Sequence, residues 1–181
     1  WNDPILVKRV LEQGPDGIVF PVINTAEEAR QAMESCLYPP EGKRGFGPIR
    51  AVKYGLEDMD GYIRTGHKEL CRLIQIESKE GVRNLDEILC NPYIDGVIIG
   101  ACDLSGSIGN LKLIDEAVQT AGRHQVPMGI STGSTDPETL KFWYDRGLTI
   151  LSSGMDYSYI LSGARQTLDT IRTVFGSSPC A

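Results

Sequence analysis

Glu77 and Asp103 are the side chains whose types and placement point most directly to chemistry. Each ends an apolar run: Leu73-Ile74-Gln75-Ile76-Glu77, and Gly96-Val97-Ile98-Ile99-Gly100-Ala101-Cys102-Asp103. Short apolar runs of this kind predict β-strands. One helix's worth of residues, Gly81 to Asn91, lies between them. A strand–helix–strand unit of this length makes neighbouring parallel strands with a right-handed crossover. The two carboxylates then emerge side by side at the carboxyl edge of a parallel sheet, where α/β barrels keep their chemistry. Converging carboxylates in an apolar setting repel each other unless a proton or a cation sits between them. A hard divalent cation, Mg²⁺ or Mn²⁺, is the simplest resolution. The alternative is that each carboxylate caps the following helix. Glu is a poor N-cap, so this alternative is weaker for Glu77 than for Asp103.

The elements that must position this pair alternate throughout the chain. Asp3-Pro4 announces a first helix, with Ile5, Leu6, Val10 and Leu11 on one face and a stop near Gly14. A strand is predicted over Gly17 to Val22. Thr25-Ala26-Glu27-Glu28 reads as a capping box opening a helix to about Leu37. A Pro/Gly loop, Tyr38 to Pro48, follows; long loops in compact domains often carry function. A helix around Leu56 to Leu70 precedes the Glu77 strand. Beyond Asp103 come a helix to about His124, a strand ending at Ser131, a helix opened by Asp136-Pro137, a strand ending at Ser152 and a last helix to Phe175. About five βα units result. The competing architecture is an open doubly wound sheet, but its phosphate fingerprints are missing: no G-x-G-x-x-G follows a strand and no P-loop occurs.

Composition narrows the function. The 181 residues suffice for one domain with a substantial core. A net charge of −6 with no basic cluster argues against nucleic acid as the main partner. No apolar run approaches the roughly 18 residues of a membrane span, and no signal peptide is visible. The five cysteines show no C-x-x-C pair. Reduced, mostly buried thiols in the cytoplasm are expected.

Five ordered motifs together resemble the HpcH/HpaI class II aldolases. They are Asn2-Asp3-Pro4; Pro21-x-Ile23-x-Thr25-Ala26-Glu27-Glu28-Ala29; Tyr38-Pro39-Pro40-x-Gly42-x-Arg44-Gly45; Gln75-Ile76-Glu77-Ser78; and Gly100-x-x-Asp103-Leu104-Ser105-x-Ser107-Ile108-Gly109. The family comprises metal-dependent pyruvate aldolases of the phosphoenolpyruvate/pyruvate-type barrel superfamily. The resemblance implies a (β/α)₈ barrel, of which residues 1–181 form one partial domain. It makes Glu77 and Asp103 the two metal ligands, with Mg²⁺ or Mn²⁺ the expected ion and Co²⁺ an alternative. Gln75 would contact the keto acid or a metal-bound water, and the backbone N–H groups of Cys102 and Asp103 would hold the pyruvate carboxylate. The implied reaction is a reversible retro-aldol cleavage of a 4-hydroxy-2-keto acid to pyruvate and an aldehyde. A homo-oligomer, trimer or hexamer, is expected, with the last helix packed on a partner.

The chain departs from that pattern in places. The family's base His, its supporting Asp and its carboxylate-binding Arg would lie upstream of Trp1. His67 and His124 fall in helices and are expected on their surfaces or at a helix end. Leu111 follows Asn110 at once, where the family has a Pro/Gly loop, so an internal gap is expected there, the alternative being a real deletion. Gly100-Ala101-Cys102-Asp103 lacks the family's proline.

Other residues have two readings each. Arg44, placed at a strand's C-terminal side, is a ligand for a substrate carboxylate or a neighbouring subunit, or else a solvated cation. Phe46, Pro48 and Arg50 would line the same loop and shape the aldehyde site. Glu12, where the family has an acidic residue that reaches the active site of an adjacent subunit, would by that resemblance act across an interface, or else is a plain surface residue. By the resemblance, Ser131 and Thr132 occupy a rim position where the family tunes aldehyde preference. The competing functions are a related acyl-CoA lyase or phosphoenolpyruvate-type enzyme, and a non-catalytic oligomerising paralogue.

Overall fold

The β-strands are short and β-branched, and the helices between them open on side-chain caps that the sequence spells out. Asp3 accepts from the N–H groups of Ile5 and Leu6 and opens α1 (Pro4–Leu11). Thr25 and Glu28 form a reciprocal capping box at the start of α2 (Ala26–Cys36). Asp136 caps the helix that begins at Pro137. Such caps satisfy N–H groups that a helix's first turn otherwise leaves unpaired.

The computed structural model describes residues 2–100 and 111–176. After α1 come β1 (Gly17–Phe20), α2, α3 (Met59–Glu69) and β2 (Cys71–Ile76). Two short helices follow, α4 (Lys79–Arg83) and α5 (Leu85–Ile88), then β3 (Gly96–Gly100). The remainder is α6 (Leu111–Arg123), β4 (Met128–Ser131), α7 (Pro137–Tyr144), β5 (Ile150–Ser152) and α8 (Asp156–Phe175).

The strands form one sheet in the order β1-β2-β3-β4-β5, every neighbouring pair parallel. Strand order that follows chain order without reversal is the wall of a barrel. A doubly wound sheet would reverse direction at a switch point. The partial (β/α)₈ barrel expected from sequence is therefore the observed architecture, with β1 and β5 at its edges among the described residues.

Alternation along β2 sorts its two faces. Arg72, Ile74 and Ile76 are buried, whereas Leu73 and Gln75 are half-buried on the other side. Ile74 and Ile76 join Phe20, Val97, Ile99, Met128 and Ile130 against Leu11, Met33, Leu85, Ile88 and Ile114 of the helices. At the amino edge, the buried Arg72 guanidinium donates to Asp95 at 2.9 and 3.2 Å, and the Arg72 N–H donates to the same carboxylate at 2.7 Å. This bidentate pair ties the start of β2 to the residue before β3.

Several expectations are corrected. The buried stripe of α1 is Val7 and Leu11; Ile5, Leu6 and Val10 are exposed. The i, i+4 pair that meets α2 and the sheet sets that stripe, rather than the most apolar run. A single helix from Gly81 to Asn91 is replaced by α4 and α5. They meet at Asn84, whose side chain donates to the Asn24 carbonyl at 2.8 Å. Strand β1 stops at Phe20, because Pro21 offers the ladder no N–H. Among the described cysteines only Cys36 is buried; Cys71 and Cys90 are exposed at element ends. Burial pushes the Cys36 thiol up to about 12 despite the nearby Arg72 and Arg44, which leaves it protonated. His67 lies within α3. His124 follows α6 and contacts Asp86 at 3.0 Å. Along α8, Ile160, Leu161, Leu168, Ile171 and Val174 are exposed. No described helix is long and apolar enough to cross a membrane.

The two leucines of α1 separate the competing faces. Leu11→Ala should destabilise the protein by about 2–5 kcal/mol through the cavity it leaves. Leu6→Ala should cost about 1 kcal/mol or less. Denaturant unfolding of the two variants measures the difference, and equal losses would contradict the observed face of α1.

Candidate active site

Glu77 stands one residue beyond β2, at the carboxyl edge of the sheet. Its carboxylate is held from two directions. Gln75, two residues earlier on the same face, donates from Nε2 to Glu77 Oε1 at 2.8 Å. The backbone N–H of Val22 donates to Glu77 Oε2 at 3.0 Å. Two donors of different elements thus fix both oxygens.

The third wall is β3. A Cβ placed on Gly100 would lie 2.8 Å from Glu77 Cγ, 2.9 Å from its Oε1 and 3.1 Å from Gln75 Nε2. Glycine at this position lets the end of β3 approach the carboxylate closely. Gly100 is in register with Ser131, and Ser131 with Ser152, along the same edge. Ser131 therefore sits on the rim, one strand beyond Gly100. Thr132 donates its N–H to Ser152 C=O at 3.0 Å and exchanges bonds with Ser134.

The loop between β1 and α2 braces the site. Ile23 N–H donates to Gln75 C=O at 3.2 Å. Ser78 Oγ donates to the Asn24 side-chain oxygen, and the Ser78 side chain also caps α4. The Asn24 and Thr25 N–H groups donate to the Glu28 carboxylate at 2.8 and 3.0 Å. Within this frame Val22 has φ 56°, the left-handed region, which a β-branched residue adopts at a cost of about 1–3 kcal/mol. A cavity of about 710 Å³ opens beside it, lined by Asn2, Asp3, Pro21, Val22, Asn24, Glu28 and Gln31.

Cys102 and Asp103 lie outside the described residues, as does the segment to Asn110 where a gap is expected. Strands β2 and β3 are neighbours with Ile76 opposite Ile99, which places Gly100, the end of β3, beside Glu77. Among the described residues no group of three or more His, Cys, Asp or Glu gathers; the expected ligand pair is smaller.

Arg44 and Glu12 come together with each other rather than with Glu77. Arg44 is buried, donates to Glu12 at 3.2 Å and to Tyr62 Oη at 3.3 Å, and lies over the Tyr38 ring at 4.7 Å. Its N–H binds Leu37 C=O, just past the end of α2. Helix α2 starts at the carboxyl edge and returns the chain to the amino edge, and α1 ends there at Glu12. The placement of Arg44 at a strand's C-terminal side is thus corrected, as is the solvated-cation reading. Phe46 and Arg50 are exposed, and the loop carrying them and Pro48 is on this same edge, away from the rim.

Val22 and Gly100 are the site residues that sequence reasoning missed. A glycine closing an otherwise β-branched strand was the available signal for Gly100. Val22 carried none, because its side chain argues against the conformation it adopts.

The fold and this edge define an α/β-barrel enzyme of the kind that works at the carboxyl ends of its strands. Residues 2–160 match the model of the HpcH/HpaI aldolase/citrate lyase family, and the chain belongs to that family. It is 34% identical over 95% of its length to a hydroxypyruvate/pyruvate aldolase of Roseovarius nubinhibens, spanning 70% of that protein. It is 31% identical over 91% of its length to a 4-hydroxy-2-oxo-heptane-1,7-dioate aldolase of Klebsiella pneumoniae, spanning 64% of it. The crystal structure of an HpcH/HpaI aldolase/citrate lyase family protein from Burkholderia cenocepacia J2315 superposes with a TM-score of 0.85 at 26% identity, covering 94% of this chain and 70% of that one.

Gly100→Ala should leave the fold intact yet displace the Glu77 carboxylate, because the added methyl meets Glu77 Cγ at 2.8 Å and Oε1 at 2.9 Å. Divalent-cation affinity is expected to fall about tenfold or more, read by calorimetry with Mn²⁺. Unchanged affinity would show that the close approach of β3 does not shape the site.

Proposed function

We propose that this protein is a metal-dependent carbon–carbon lyase that cleaves a 4-hydroxy-2-keto acid reversibly to pyruvate and an aldehyde. The observation that carries the reading is the Glu77 carboxylate, held at the carboxyl edge by Gln75 and the Val22 N–H, in a chain of the HpcH/HpaI family. The names of the relatives support the reaction class.

The residues present fit a hard divalent cation. Glu77 offers hard anionic oxygens oriented by two donors, and Gly100 clears the space beside them. Glu77 and Asp103 would hold Mg²⁺ or Mn²⁺, with Co²⁺ as an alternative. Bound there, the cation would supply Lewis acidity that offsets the negative charge developing on the keto acid's oxygens.

The chain's own groups do the rest of the positioning. Gln75 orients Glu77, and its amide oxygen is left to face the keto acid or an ordered water. The backbone N–H groups of Cys102 and Asp103 bind the pyruvate carboxylate. Ser131, on the rim, contacts the aldehyde portion. Residues 1–181 then form one partial barrel domain acting on small molecules in the cytoplasm. The exposed apolar stripe of α8 supports a homo-oligomer, a trimer or hexamer.

Assays of the full-length protein with a panel of 4-hydroxy-2-keto acids test the reading. Pyruvate release should stop on chelation and return with Mg²⁺, Mn²⁺ or Co²⁺. Glu77→Gln and Asp103→Asn should each lose cation affinity while remaining folded. Full activity in excess chelator would overturn the metal assignment, and no cleavage across the panel would overturn the lyase reading. Oxalate, a planar dianion resembling the enolate of pyruvate, should inhibit competitively.

A further inference from the structure

Strand β1 does not end in an ordinary way. The alternation that begins with Cys71 N–H on Asp16 C=O, in the register Gly17 opposite Cys71, would bring the Val22 N–H onto Gln75 C=O. The Ile23 N–H occupies that carbonyl instead. One extra residue has thus been inserted into the ladder beside Glu77, as in a β-bulge. Its effect is to divert one N–H out of the sheet. That N–H reaches Glu77 Oε2 at 3.0 Å, across 55 positions of sequence.

The diversion is held in place at a conformational cost. Val22 keeps φ 56° although it is β-branched and its side chain is largely exposed, so side-chain packing does not impose the conformation. The neighbours impose it: Pro21 cannot donate, Ile23 is fully buried and bonded to β2, and Asn24 is tied to Ser78, Asn84 and Glu28. Strain that surrounding contacts over-determine is characteristic of functional sites.

We infer that Val22 is a positioning residue, whose backbone N–H, turned out of the ladder, sets the orientation of the Glu77 carboxylate toward the cation it would hold. The inference rests on the proposed metal role of Glu77. Hydrogen bonds to a ligating carboxylate orient it, and their loss commonly costs about 10–100-fold in metal affinity or activity.

The direct test replaces valine 22 in the full-length protein by its α-hydroxy analogue, which exchanges the N–H for an ester oxygen and keeps the side chain. Mn²⁺ affinity, measured with Mn²⁺ alone by calorimetry or electron paramagnetic resonance, should fall about tenfold or more. Val22→Asn is the rescue control, since Asn tolerates the left-handed region and retains the N–H; its Mn²⁺ affinity should stay within about threefold of wild type. A merely structural role would lower the unfolding temperature of the ester variant without changing Mn²⁺ affinity. Wild-type affinity in the ester variant, or an equal loss in Val22→Asn, would overturn the inference.

Residue-resolved hydrogen exchange gives a second readout that does not need the ester variant. Glu77→Ala should accelerate exchange of the Val22 amide about tenfold or more, while the Ile23 amide on Gln75 C=O stays protected. Unaltered Val22 exchange would equally overturn the inference. Retained Mn²⁺ affinity in Glu77→Gln would instead reject the metal role of Glu77. Loss there alongside an unaffected ester variant would reject the positioning role alone.

Discussion

A carboxylate standing at the end of a parallel strand, held on both oxygens, is the constraint to which the surrounding structure answers. Glu77 can be held this way only if three strands end together. Strand β2 supplies the residue and its Gln75 partner, β1 delivers a backbone N–H, and β3 arrives without a side chain at Gly100. Parallel pairing in chain order provides that coincidence, because every crossover returns the chain to the same edge. Desolvation makes the arrangement exacting. A half-buried carboxylate that lost a donor would bear an uncompensated cost, so the network is worth more complete than in part.

The two edges of the sheet divide the labour. At the amino edge, charges neutralise each other: Arg72 with Asp95, and Arg44 with Glu12 between two tyrosine rings. These pairs are closed, and burial leaves the nearby Cys36 thiol inert. At the carboxyl edge the groups are aimed outward, strained at Val22 and thinned at Gly100, Ser131 and Ser152. Stability is concentrated where no chemistry occurs, as in other barrels. The apolar cluster between sheet and helices joins the two edges and lets each keep its own character.

Much of the fold was legible. The Thr25–Glu28 box, the Asp3-Pro4 and Asp136-Pro137 starts and the β-branched runs are local signals, and each element they announced is present. The errors fell where local pattern meets a neighbour. Helix α1 presents Val7 and Leu11 inward although Ile5, Leu6 and Val10 are as apolar. The helix after Glu77 breaks at Asn84 because that side chain bonds the β1–α2 loop. Arg44 was placed on the wrong edge because loop composition does not say which end of a helix the loop follows.

The sequence by itself determined that parallel strands alternate with helices, that Gln75 and Glu77 share a face, and that Glu77 ends its strand. Those facts depend on residue type and period, which a single strand carries within itself. Only the tertiary structure decided what holds Glu77. The Val22 N–H comes from a strand 55 positions away, in a backbone conformation contrary to the residue's own preference. Gly100 matters through the space it leaves rather than through any group it bears. A backbone donor and an absent side chain leave no mark in residue chemistry, so they become visible only when neighbouring strands are brought into register.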